Sequence, residues 1–149
     1  MTRAGYRIAT GPPARETDTM PASTPDAADA FVAALVARDL AGARDLLAPE
    51  VDFRAMTPNR FWEAADAAGA EDALRAWFEH PDRDVSRVDA GESGAVADTR
   101  RVGWRVSGTD AQGAFTYEQL AFAREDAGRI VWLRIMCSGP RPVGDAPGA

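Results

Sequence analysis

Among the residues of this chain that could move a proton, Glu118 stands out. It falls in 114–124, AFTYEQLAFAR, where apolar and polar residues alternate at the period of a β-strand. Counted by twos, Thr116, Glu118, Leu120 and Phe122 share one face, and that face is the more apolar of the two, so it should turn inward. A carboxylate set in an apolar wall costs several kcal/mol unless it is paired or hydrogen-bonded. In such surroundings a carboxyl holds its proton more tightly and suits general acid or base work. The bland alternative is a structural ion pair with an arginine, for example Arg100. Asp98 and Arg100 lie two apart in 94–107, which puts them on one face of a strand, about 7 Å apart along it. Glu118, Asp98 and Arg100 are therefore the catalytic candidates: two carboxylates and a guanidinium. Trp104, Trp62, Phe31, Leu120, Phe122 and Leu133 are candidates for lining a ligand pocket, with plain core as the competing role.

Missing residue types narrow the chemistry further. All 17 basic residues are arginine, so there is no lysine for a Schiff base, a pyridoxal-phosphate anchor or a P-loop. One histidine, His80, excludes sites built on two or more histidines. The single Cys137 forms no intrachain disulfide and reads as a small buried hydrophobe. No metal or cofactor is expected. A net charge of −6 argues against nucleic acid and anionic membrane as partners. No apolar run approaches the roughly 20 residues of a membrane span, and the N-terminus lacks the apolar stretch of a secretion signal. The expectation is a cytoplasmic protein.

The elements that must position these residues follow from periodicity. At 149 residues the chain is about one domain long. Residues 1–23 and 139–149 read as tails, which leaves a domain over 24–138. Thr24 can cap a first helix, with Pro25 at its first position and an apolar face of Ala28, Phe31, Val32, Leu35 and Val36. Asp39 can cap a second helix, ended by Pro49. Val51 to Ala55 alternates as a short strand, 57–68 is undecided, and a third helix covers about 70–80 before Pro81. The period then changes to two. Strands are expected at about 84–90, 94–107, 114–124 and 129–138, with turns at Gly91/Gly94, Gly108–Gly113 and 126–128. Helices first and sheet last indicate an α+β domain closing on an antiparallel meander. If Val106 pairs with Thr116, Trp104 lies beside Glu118 on the inner wall. The outer face would then carry Tyr117, Trp132 and Met136 among Arg105, Gln119 and Arg134. Such a patch predicts a homodimer through the sheet.

Three segments, AFVAALVARDLAGARDLLAPEVDF, GAEDALRAWF and EDAGRIVWLRIMCSG, resemble the nuclear transport factor 2-like, or SnoaL-like, superfamily across about 24–138. The resemblance implies a cone-shaped roll, with N-terminal helices packed on a curved antiparallel sheet around a pocket, and frequent dimers. Superfamily members include isomerases, dehydratases, polyketide cyclases, epoxide hydrolases and non-catalytic binders, and the fold does not choose among them. The ketosteroid isomerase roles map to Phe31, Leu120 and Ala55, none of which exchanges a proton, so that chemistry is disfavoured. Limonene epoxide hydrolase resembles the fold too, and its two carboxylates bridged by arginine are similar to Asp98, Arg100 and Glu118. The functional expectation is a pocket protein for a small, mostly apolar molecule. It could act as a cofactor-independent acid–base enzyme of secondary metabolism (cyclase, isomerase, dehydratase or epoxide hydrolase) or as a non-catalytic ligand-binding or dimeric accessory protein.

Overall fold

A computed structural model describes residues 26–143. Helix α1 (Ala27–Val36) begins at Asp26, whose side chain accepts the backbone N–H of Asp29 at 2.9 Å. The expected cap, Thr24, and the 1–23 segment lie outside the described residues, as does most of 139–149. The N–H groups of Ala27 and Ala28 also donate to the Glu125 carboxylate, at 3.3 and 3.0 Å, so a strand residue holds the helix start against the sheet. Helix α2 (Leu40–Asp45) is capped by Asp39, as expected. Strand β1 (Leu47–Thr57) starts directly afterwards, so Pro49 lies inside a strand rather than at a helix end. Through a turn at Pro58–Asn59, where Asn59 has φ 69°, the chain folds back as β2 (Arg60–Ala64). The undecided stretch is thus largely a hairpin. Helix α3 (Ala67–Phe78) follows, capped by Asp66.

The meander is present: β3 (Arg83–Val96), β4 (Thr99–Asp110), β5 (Gly113–Asp126) and β6 (Arg129–Cys137) pair antiparallel in sequence. Strand order is β2-β1-β6-β5-β4-β3, and β1 runs parallel to β6. A short β7 (Arg141–Pro142) adds to β5, so sheet pairing extends past residue 139. The architecture is the expected α+β cone, with helices over the concave face of a large curved sheet.

Two details differ from expectation, and they relocate side chains. Strand β3 passes through Gly91 and Gly94 with a bulge between Ala90 and Ser93, and the turn comes at Ala97–Asp98, with Ala97 at φ 55°. Gly108 is likewise no turn residue. It lies within β4, where a Cβ would collide with the carbonyl oxygen of Asp84 on β3. The β4–β5 turn is the two-residue Ala111–Gln112, and Asp110 pairs with Gly113. Val106 therefore faces Tyr117, not Thr116. A slip of one residue turns a whole strand over. Phe115, Tyr117, Gln119, Ala121 and Ala123 are buried under the helices, while Glu118 and Leu120 face outward. Faces on β4 and β6 stand as expected, with Val102, Trp104, Val106, Leu133 and Ile135 inward. In the buried core Phe31 meets Trp104 edge-on, centroids 6.1 Å apart, a contact worth about 0.5–1.5 kcal/mol beyond burial.

Candidate functional site

The three catalytic candidates do not converge. Glu118 sits on the outer face with its side chain 60% exposed, and its Oε2 accepts from Arg105 at 2.6 and 3.1 Å. Its placement on the inner wall is thus corrected by the one-residue register. Asp98 lies in the β3–β4 turn, exposed, and accepts the Thr99 hydroxyl at 3.3 Å. Arg100 ties the sheet to the start of α1. It pairs with Asp26 at 2.8 Å and Asp29 at 3.2 Å, and donates to Ser93 Oγ at 2.7 Å. That cluster, with Glu125 beside it, docks a helix end. Of the expected lining residues, Leu120 and Phe122 are on the outer face, and Phe31, Trp104 and Leu133 are core. Trp62 borders the cavity described next.

That cavity, about 570 Å³, opens between the β1–β2 turn, the C-terminal end of α3, and the inner faces of β5 and β6. Trp62 stands edge-on to Trp77 at 5.6 Å. Its indole donates to Thr57 Oγ1 at 2.8 Å, and the Arg60 guanidinium lies 3.6 Å from its ring centroid. Tyr117 and Gln119, two apart on β5, form the wall opposite, next to Cys137 on β6. Sequence reasoning missed both because it placed them outside. The signal that locates them is the two-residue turn Asp110-Ala-Gln-Gly113, which fixes the register.

The polar groups of this wall share one character. Gln119 is 3% exposed, and its Oε1 accepts from Trp104 Nε1 at 2.7 Å. An indole N–H can only donate, so the amide oxygen must face Trp104 and the Nε2 hydrogens must point elsewhere. Among the described residues Tyr117 Oη and Trp77 Nε1 are buried without a hydrogen-bond partner, and Gln119 Nε2 has only the weak acceptor Cys137 Sγ beside it. All three residues border the same cavity. Leaving such a group unpaired costs about 1–3 kcal/mol each. Burial pushes the Tyr117 phenol well above its ordinary range, with Cys137 adding to the rise and Arg83 opposing it, so the phenol remains a donor. Burial likewise raises the Cys137 thiol. At the mouth, His80 Nδ1 accepts the Asp82 N–H at 3.0 Å, which leaves its hydrogen on Nε2 in the neutral ring. Arg60 and Arg83 also line the cavity, and among the described lining residues there is no Asp or Glu. The arrangement can hold an acceptor atom and offers no carboxylate base.

The outer sheet face carries a separate apolar area. Met56, Phe61, Leu120 and Met136 are 48%, 55%, 39% and 55% exposed, flanked by Arg54 and Arg134. Trp132 is held there between Arg124 and Arg134, each 4.4 Å from its ring centroid.

No family model and no curated protein matches the chain. Solved structures do. A nuclear transport factor 2-like protein from Burkholderia thailandensis is 19% identical, covering 77% of this chain and 92% of that one, with a TM-score of 0.62. An LEH-like epoxide hydrolase from M. tuberculosis is 16% identical over 75% and 80% of the two chains, TM-score 0.56. A protein of ketosteroid isomerase-like fold from Catenulispora acidiphila, in complex with trimethylamine, is 13% identical over 76% and 85%, TM-score 0.55. Identities this low speak for architecture alone, and the chain has the nuclear transport factor 2-like fold that its sequence resembles.

Proposed function

We propose that this chain binds a small, largely apolar molecule that carries a hydrogen-bond-accepting group, such as a ketone, in the cavity bordered by Trp62, Trp77, Tyr117 and Gln119. The observation that carries this reading is that Trp77, Tyr117 and Gln119, whose side chains hold buried donors left unpaired or weakly paired among the described residues, all border one cavity. A carbonyl oxygen placed among them would recover part of the desolvation they have already undergone. The indole rings of Trp62 and Trp77 supply the apolar walls typical of small-molecule sites. The same set of donors bears on the choice between enzyme and binder. Tyr117 and Gln119 could stabilise an oxyanion. Proton abstraction, however, needs a base, and the only histidine has its lone-pair nitrogen engaged by Asp82. The geometry therefore favours a binder over an isomerase, cyclase or hydrolase.

Calorimetric titration with acetophenone and ethylbenzene tests the reading, because the two differ by the carbonyl oxygen. Two or three recovered hydrogen bonds correspond to roughly 10- to 100-fold tighter binding of the ketone. Equal affinities, or no binding of either, would refute it.

A second reading concerns the outer face. Exposed Met56, Leu120 and Met136, ringed by both arginines and acids such as Glu118, make a surface suited to a two-fold contact with another copy of the chain. Met136→Glu should convert a dimer to a monomer in sedimentation velocity. A wild-type protein that sediments as a monomer at high micromolar concentration would remove this reading.

A further inference from the structure

The cavity is polarised along its depth. Its buried wall holds the three neutral donors of Tyr117, Gln119 and Trp77, and its mouth holds Arg60, Arg83 and His80. Those are all the ionisable nitrogen groups of its lining, and no carboxylate among the described lining residues offsets them. The balance runs against the rest of the molecule, which carries 23 acidic residues to 17 basic ones. Most other arginines of the described chain are engaged with acids: Arg44 and Arg75 with Glu71, Arg100 with Asp26, Arg105 with Glu118, Arg134 with Asp52. Arg60 instead lies on the face of Trp62 at the cavity edge. Arg83 makes no ion pair within 4.0 Å with an acid of the described residues, and its field reaches Tyr117 and Cys137 deep in the wall. Cations left unneutralised at the mouth of a pocket in an acidic protein concentrate anions there and repel cations.

Resting on the ligand-binding reading above, we infer that the molecule bound is an oxo acid: a flat apolar body with a ketone-type acceptor at its buried end and a carboxylate at the mouth, beside Arg60 and Arg83. The donors at the buried end are uncharged, which suits a neutral carbonyl. The guanidinium groups at the mouth are exposed or half-exposed, so the carboxylate need not give up its hydration fully. Trp62, Trp77 and Pro58 line the cavity and offer apolar surface to the body.

The test compares 4-acetylbenzoate with its methyl ester, which has the same body and carbonyl without the charge. Titrations at low salt should give the acid at least a ten-fold lower Kd. That ratio should shrink several-fold at high ionic strength, as an exposed charge contact does. In the Arg60→Gln, Arg83→Gln double variant the acid-to-ester ratio should fall towards one, with the ester serving as the internal control for pocket integrity. If acid and ester bind wild type equally while both outbind ethylbenzene, the oxo-acid inference falls and the carbonyl reading stands. If neither probe nor acetophenone binds, both fall together. Because the salt dependence is read on wild type, a poorly folding variant does not rescue the inference.

Discussion

Tyr117→Phe removes one oxygen atom from the most informative wall of the molecule. Tyr117 is 2% exposed and its hydroxyl has no partner among the described residues, so without a ligand that group has lost its hydration and gained no hydrogen bond from them. An unsatisfied buried hydroxyl costs about 1–3 kcal/mol. The phenyl ring keeps the remaining contacts, including its stack on Phe115 at 6.1 Å with 8° between planes. Against the gain stands the small void left by the oxygen, a fraction of the cost of a deleted methylene. The net expectation is a stability gain of about 1 kcal/mol, which for a domain of this size raises Tm by about 3–5 °C. Urea titration should show a higher midpoint with an unchanged slope. Acetophenone affinity should fall about 2- to 10-fold in the same variant, the value of one hydrogen bond. A variant less stable than wild type by 1 kcal/mol or more would refute the reasoning, because it would mean the hydroxyl is already well bonded without ligand.

Three further outcomes can be measured. Stability should decline with rising alkali: Cys137 and Tyr117 both have raised pKa values in the fold, so the unfolded chain releases those protons first, from about pH 8.5 for the thiol and about pH 10 for the phenol. Tyr117→Phe should flatten the upper part of that decline, as read from urea midpoints between pH 8 and 11. In the β5–β6 hairpin Ala127 and Gly128 have φ of 54° and 80°, the pattern of a type I′ turn, in which Asn is favoured over Ala at the first position. Ala127→Asn should therefore stabilise by about 0.5–1 kcal/mol, and a loss on thermal melting would contradict it. Glu125→Ala removes the carboxylate that accepts from Ala27 and Ala28, and should cost about 1–2 kcal/mol by denaturant titration.

The fold was legible where one face of an element was plainly more apolar than the other. Helices with Phe31, Val32 and Leu35, or Leu74, Trp77 and Phe78, on one side left no ambiguity, and β4 and β6 were oriented by Trp104 and Ile135. Strand β5 is different. Its inner face uses alanine at 121 and 123, fully buried, and its outer face uses Leu120 and Phe122, so the hydrophobic count points the wrong way. The large residues outside, Leu120 and Phe122, line the exposed patch. Two glycines compounded the error. Gly108 and Gly91 are in strands because another backbone passes close by, and sequence alone does not distinguish that from a turn. Once β5 was inverted, Tyr117 and Gln119 were lost from the site and Glu118 was gained. Trp62, one of two adjacent aromatics in the undecided stretch, borders the cavity and packs on Trp77.

The parallel pairing of β1 with β6 has a kinetic consequence. Asp52 lies opposite Trp132, so the contact joins segments about 80 residues apart. The meander β3–β6 can zip up from short hairpins, each a local and fast event. The β1–β2 hairpin has no such route to the sheet: it must wait until β6 has been synthesised and ordered. During translation, then, the first hairpin should stay unanchored on the sheet until β6 clears the ribosome. The cavity between that hairpin and the β5–β6 wall comes into being only in the last docking step. Loss of ligand binding should accordingly precede loss of the meander when the protein is opened by denaturant, because the interface that forms last also shapes the pocket.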